Sequence, residues 1–277
     1  MLVNAKKMLL EAQAARQGMP SPDFFDYDTA RSYIEVAEEL KRPLILAFSN
    51  AFDSFFPLED AASIGKYLSE KASVPVALHL DHGFTFDYIE RAIKCGFTSV
   101  MLDMSSLAFE ENMRETREVV KLASAYDVTV ESELGHVGMG ENFLGMEDEE
   151  STYTSVEEAK TFVKETGVDS LAVSIGTAHG LYKGRKPVLN FQRLRELRAA
   201  LSIPLVLHGS TGTGDENLAR CVKDGITKVN VYTEFLVAAM RAVKANDPEN
   251  TGYHDLKFAI NDEMKKSLRH CYEVYGF

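Results

Sequence analysis

Short apolar runs recur along this chain, and the stretches between them carry apolar residues at helical spacing. The runs are PLILAFSN (43–50), VPVALHLD (74–81), TSVMLDMS (98–105), VTVESELG (128–135), SLAVSIG (170–176), IPLVLHGS (203–210) and ITKVNVY (226–232). GMPSPDFFD (18–26) is an eighth and poorer candidate, because its prolines lack the N–H that a ladder needs. Near-continuous apolar runs of this length fit strands covered on both faces, as in parallel sheets. Between them, FEENMRETREVVKLASAYD (109–127) and FQRLRELRAAL (191–201) repeat at i, i+3 and i+4, which predicts helices. The N-terminal MLVNAKKMLLEAQAARQG reads as a short amphipathic helix, and SVEE (155–158) as a capping box with Ser155 capping and Glu158 reaching back.

Strand and helix alternating eight times predicts parallel pairing with right-handed crossovers. Eight such units in 277 residues fit one (β/α)8 TIM barrel, a single α/β domain spanning 1–277. An open doubly wound sheet is the alternative, but no GxGxxG follows the first strand. No Pro/Gly/Ser-rich linker divides the chain. Long segments follow two strands, at 136–154 and 177–189, and in a barrel such loops lie on the catalytic face.

Composition narrows the partners. A formal net charge of −12 argues against nucleic acid or an anionic membrane as the main partner. No apolar run approaches the roughly 20 residues of a membrane span, and the N-terminus lacks the apolar centre of a signal peptide. Three widely spaced cysteines, Cys95, Cys221 and Cys271, suggest neither a disulfide frame nor a cysteine zinc site, so a reducing cytoplasm is expected.

Polar residues at the ends of the apolar runs carry the candidate chemistry. His79, His82, His179 and His208 all sit at or just past strand ends, and strand ends share one barrel rim. Three of them, His82, His179 and His208, can converge as a three-imidazole metal site with an open position. Asp81, beside His82, is placed to shuttle a proton or to fix a histidine tautomer from behind. Glu131 and Glu133 lie two apart on one strand and face the same side. Glu133 can reach the metal or hold a second position for it, and Glu131 can pair with Lys228. AHG (178–180), HGSTG (208–212) and NVYTE (230–234) resemble anion cradles, where glycine admits backbone N–H groups close to a phosphate. His254 and His270 are expected on the surface of the C-terminal helical region.

HLDHG, ESELGHVG, LAVSIGTAHGLY, LVLHGSTG and KVNVYTE, in this order and spacing, resemble the class II, zinc-dependent ketose-bisphosphate aldolases, and the tagatose-bisphosphate branch most. The likeness covers nearly the whole chain. It implies zinc on His82, His179 and His208, with Glu133 a buried acid beside the metal and Asp103 a companion carboxylate. It implies that Asp81 exchanges a proton with the C4 oxygen, and that Glu141 moves the C1 proton of dihydroxyacetone phosphate. Ser49, Gly180, Gly209, Ser210, Thr211, Asn230, Val231, Tyr232 and Thr233 then form the phosphate and triose site, with a monovalent cation (Na+ or K+) nearby. The implied activity is reversible cleavage of a ketose 1-phosphate or 1,6-bisphosphate to dihydroxyacetone phosphate and an aldehyde, by a homodimer or homotetramer.

The sequence departs from that pattern at three points. Asp23 stands where the family has Asn, Asn142 where an Asp is common, and the late DPR element reads DLK (255–257). Lys257 can still meet a phosphate, but without the bidentate fork of Arg. Two other readings stay open: another metal-dependent enzyme on the same barrel, and a sugar-phosphate binder descended from aldolases.

Overall fold

The computed structural model describes residues 1–135, 137, 153–182, 187–247 and 249–277. Eight strands appear where the eight apolar runs predicted them: β1 (Met19–Pro22), β2 (Leu44–Ser49), β3 (Val76–Gly83), β4 (Ser99–Leu102), β5 (Thr129–Leu134), β6 (Ser170–Val173), β7 (Leu205–Leu207) and β8 (Ile226–Val231). All pair in parallel in the order β1-β8-β7-β6-β5-β4-β3-β2. The ring closes at its poorest strand. Beyond Pro22 the chain makes one bridge from Asp23 to Ala47, and the Phe24 N–H donates to the Ala47 carbonyl at 2.8 Å. The fold is therefore a single (β/α)8 barrel.

Ten helices are seen among the described residues. α1 (Ala5–Ala15) precedes the barrel, and α2 (Tyr27–Leu40), α3 (Leu58–Lys71), α4 (Phe86–Cys95), α5 (Phe109–Ser124), α6 (Val156–Thr166), α7 (Phe191–Ala200), α8 (Asp215–Asp224) and α9 (Thr233–Ala245) each follow a strand. α10 (Tyr253–Val274) ends the chain. None is long and apolar enough to cross a membrane. Local chemistry sets several starts: Asn4, Asp26, Thr85 and Asn190 each accept a backbone N–H from the first turn of the helix that follows. Among the described residues only half of the box predicted at 155–158 forms, with Ser155 Oγ accepting the Glu158 N–H at 3.4 Å.

The main apolar core lies between the strands and the helix ring. α1 plugs the N-terminal end of the barrel, where Met8, Leu9 and Ala12 meet Met19, Ile45 and Ala77. Inside the barrel, alternation stacks side chains in levels. His79, Glu131 and Lys228 meet in the middle of the interior, and Met101, Ala172 and Val206 form a small apolar cluster of their own. Two residues further along the same strands come Asp81, Glu133 and Asn230. The upper level is polar because it floors the mouth of the barrel.

Candidate active site

β3 ends irregularly. Its register against β4 slips between Leu80 and Gly83, and His82 sits at φ +52°. Holding a non-glycine residue in the left-handed region costs about 1–3 kcal/mol and marks a constrained site. His179 follows β6 and His208 directly follows β7, so three separate strand ends deliver three imidazoles. Ring centroids lie 5.1 Å apart for His82 and His179, 4.8 Å for His82 and His208, and 5.8 Å for His179 and His208. One ligand nitrogen from each lies within 4.8 Å of the other two.

The outer bonds decide which nitrogens face inward. Nδ1 of His82 pairs with Asp103 Oδ2 at 2.8 Å, Nδ1 of His179 with the Val137 carbonyl at 3.2 Å, and Nε2 of His208 with Glu131 Oε1 at 3.1 Å. His82 Nε2, His179 Nε2 and His208 Nδ1 therefore face one another. His82 Nε2 and His208 Nδ1 are 3.1 Å apart, and His179 Nε2 is buried without a hydrogen-bond partner among the described residues. A buried imidazole nitrogen aimed at two others fits a metal ligand, and three imidazoles suit zinc.

Carboxylates surround this cluster. Asp103 holds His82 from behind and is itself fixed by the Ser105 hydroxyl at 2.8 Å. Glu133 accepts the Val137 N–H through Oε1 at 3.2 Å, while Oε2 is buried without a hydrogen-bond partner among the described residues; with His82 and Asp103 it forms a second group able to hold a cation. Asp81 accepts from Asn230 Nδ2 at 2.7 Å, and its other oxygen lies 4.0 Å from His82 Nε2. Burial alone would pull His82 down, but Asp81 and Asp103 outweigh it and push the imidazole up to about 10. Burial, then the His82 charge, lowers His179 and holds His208 well below the usual range. Burial, reinforced by Asp103, pushes Glu133 up to about 8. Desolvation would raise Asp103 too, but the His82 bond and charge hold it well below the carboxylate range.

The histidines line a cavity of about 320 Å³ at the barrel mouth. Ser49, Asp81, Gly180, Gly209, Ser210, Thr211, Asn230, Val231, Tyr232 and Thr233 share its lining. Gly209 has φ +69°, and a Cβ there would lie 2.4 Å from the Ala178 carbonyl oxygen, so only glycine lets the two loops touch. Tyr182 clamps the same loops: its hydroxyl accepts the Ala178 N–H at 2.7 Å and donates to the Gly209 carbonyl at 3.2 Å. The N-cap residue of α9, Tyr232, gives no side-chain bond to the first turn among the described residues. Thr211 Oγ1 accepts the Glu234 N–H at 3.1 Å, which leaves its own proton free to donate into the cavity.

Not every residue singled out in the sequence is brought here. Lys257 is absent from the cavity wall and pairs with Asp28 at the start of α2. His79 lies one level lower than expected, bonded to Ser99 Oγ at 2.7 Å and Lys228 Nζ at 3.1 Å. Glu131 does pair with Lys228, at 2.8 Å, and it also holds His208, a contact the strand pattern did not reveal. Glu141 and Asn142 lie outside the described residues. Asp23, noted only as a departure from a family pattern, proves to be buried and to line the cavity.

Fold and site together define a barrel with three imidazoles able to hold a metal ion beside a cavity at one rim. The chain belongs to the class II fructose-bisphosphate aldolase family, which it matches over residues 3–277. It is accordingly a lyase with aldolase function. The YdjI aldolase of Escherichia coli K12 is 33% identical, with a TM-score of 0.90 over 100% of this chain and 98% of that one. The fructose-bisphosphate aldolase of Campylobacter jejuni is 24% identical and shares the fold, with a TM-score of 0.83 over 99% of this chain and 95% of that one.

Proposed function

We propose that this protein is a zinc-dependent aldolase that reversibly cleaves a ketose 1-phosphate, with or without a second phosphate, between C3 and C4. The products are dihydroxyacetone phosphate and an aldehyde. The observation that carries this reading is the inward set of nitrogens on His82, His179 and His208, with a buried Nε2 on His179 that has no hydrogen-bond partner among the described residues. A divalent zinc held there would offset the negative charge that develops on the ketose carbonyl oxygen as the C3–C4 bond breaks.

The protein's own groups supply the rest. Asp81, pinned by Asn230 and 4.0 Å from His82 Nε2, takes the C4 hydroxyl proton in cleavage and returns it in condensation. Glu141 exchanges the proton at C1 of dihydroxyacetone phosphate. The loop Gly209–Thr211 and the opening turn of α9 hold the triose phosphate through backbone N–H groups and the Thr211 hydroxyl. Asp103, the Val137 carbonyl and Glu131 keep the imidazoles oriented. Glu133, whose carboxyl burial pushes up to about 8 in the metal-free protein, serves as a reserve ligand or proton holder beside the ion.

Two measurements test the proposal. Chelator should abolish cleavage, and added zinc should restore it. The zinc-loaded protein should also exchange solvent deuterium into C1 of dihydroxyacetone phosphate without any aldehyde. Full activity after metal stripping rules out the zinc role, and an absence of exchange rules out the aldol half-reaction.

A further inference from the structure

Asp23 is an acidic side chain buried at the barrel mouth. It lies one residue beyond β1, where the Asp23–Ala47 bridge closes the barrel, and it is 4% exposed. It also lines the cavity that holds the three histidines. Its Oδ1 is buried without any hydrogen-bond partner among the described residues. An unpaired buried carboxyl oxygen costs about 1–3 kcal/mol or more, and such a group aimed into a cavity is completed by what enters the cavity. Asp81 lines the same cavity, and Asp23 is bridged to β2, the neighbour of the strand that carries Asp81. The proposed function places Asp81 at the C4 oxygen, which assigns Asp23 to the half of the ketose that comes from the aldehyde.

We propose that Asp23 is a specificity-determining residue that takes a hydroxyl group of the aldehyde half, so that this part of the substrate is a neutral polyol rather than an anionic group. The inference rests on the aldolase reading of the site. A hydroxyl both donates and accepts, so it completes Asp23 in either protonation state. A phosphate or carboxylate at pH 7 only accepts. It would have to face the Asp23 carboxylate in a cavity of low dielectric, beside Asp81, or hold the Asp23 carboxyl protonated. Lys257, the cation the sequence offered for a distal phosphate, is turned to Asp28 instead and does not line the cavity.

The test compares glyceraldehyde with glyceraldehyde 3-phosphate as partners for dihydroxyacetone phosphate, in the intact zinc-loaded protein and in Asp23→Asn. The unmodified protein should favour the neutral aldehyde at least tenfold in kcat/KM. Asp23→Asn, which keeps the shape and cannot carry a negative charge, should shrink that ratio at least tenfold. A preference for the phosphorylated aldehyde in the unmodified protein overturns the proposal whether or not the variant folds. So does a ratio unchanged in a variant that retains zinc and its melting temperature. Deuterium exchange at C1 of dihydroxyacetone phosphate by the unmodified protein separates the two failures: exchange with no Asp23 effect removes this inference alone, and no exchange removes the aldolase reading beneath it.

Discussion

Replacing Lys228 with Met should destabilise the barrel more than any conservative surface change. Lys228 and Glu131 are each 1% exposed, and their charged ends lie 2.8 Å apart in the middle level of the barrel. The same Lys228 nitrogen lies 3.1 Å from His79 Nε2, and Glu131 in turn accepts from His208. Met retains the length of the side chain, so little packing is lost. The carboxylate of Glu131, however, is left in the interior with one imidazole N–H as its partner. Breaking a buried pair by removing one member typically costs about 3–5 kcal/mol. In a domain of this size each kcal/mol lowers the melting temperature by about 2–4 °C, so the expected loss is roughly 6–20 °C. Urea unfolding of the zinc-free protein at pH 7, read by circular dichroism, measures it. The double variant Lys228→Met/Glu131→Leu should recover most of the loss, because the orphaned charge is gone. If Lys228→Met stays within about 1 kcal/mol of the parent, the pair does not carry the buried charge described here.

Further outcomes follow from the same geometry. The Asp81 and Asp103 carboxylates keep His82 protonated to about pH 10 in the metal-free protein. That charge stabilises the metal-free fold below about pH 6.5, the unfolded value, and the contribution fades as pH rises toward 10. Zinc must displace the proton, so calorimetry at pH 8 in buffers of different ionisation enthalpy should show about one proton released per zinc; no release would contradict the His82 assignment. Asp81→Asn should lower kcat for cleavage by about 10²–10⁴-fold while leaving zinc affinity within a few-fold; equal loss of both would assign Asp81 to holding the metal site. Gly209→Ala puts a Cβ against the Ala178 carbonyl at φ +69°, so it should cost more than about 1 kcal/mol in unfolding free energy and raise the KM for dihydroxyacetone phosphate. A fully stable variant with unchanged KM would remove Gly209 from the phosphate site.

The barrel was legible because period and position agree. Each buried run reads as a strand, each interval between strands reads as a helix, and the weak first run is the strand at which the ring closes through a single bridge. Runs were legible to within a few residues, but their ends were not. TSVMLDMS stops being strand at Leu102, where Asp103 turns to bond Ser105, and IPLVLHGS stops at Leu207, where Gly209 enters the left-handed region. Side-chain hydrogen bonds and backbone strain end those strands, and hydrophobicity does not report either. In the site, His82, His179 and His208 could be selected because polar residues at apolar run ends are conspicuous. The Glu131–His208 contact was hidden, since it joins β5 to the end of β7 across the barrel and depends on register. His79 looked like a rim residue from its distance along the run, but the pleat puts it one level below Asp81. Tyr182, which clamps two loops through its hydroxyl, carries no sequence signal beyond its place in a long loop.

Zinc content after exhaustive dialysis addresses the central claim most directly, measured by mass spectrometry on the parent and on His82→Ala, His179→Ala and His208→Ala. One zinc per chain is expected in the parent, with each variant falling below about a tenth of that while still folded by circular dichroism. Stoichiometric zinc retained in any of the three variants would show that these imidazoles do not share one ion.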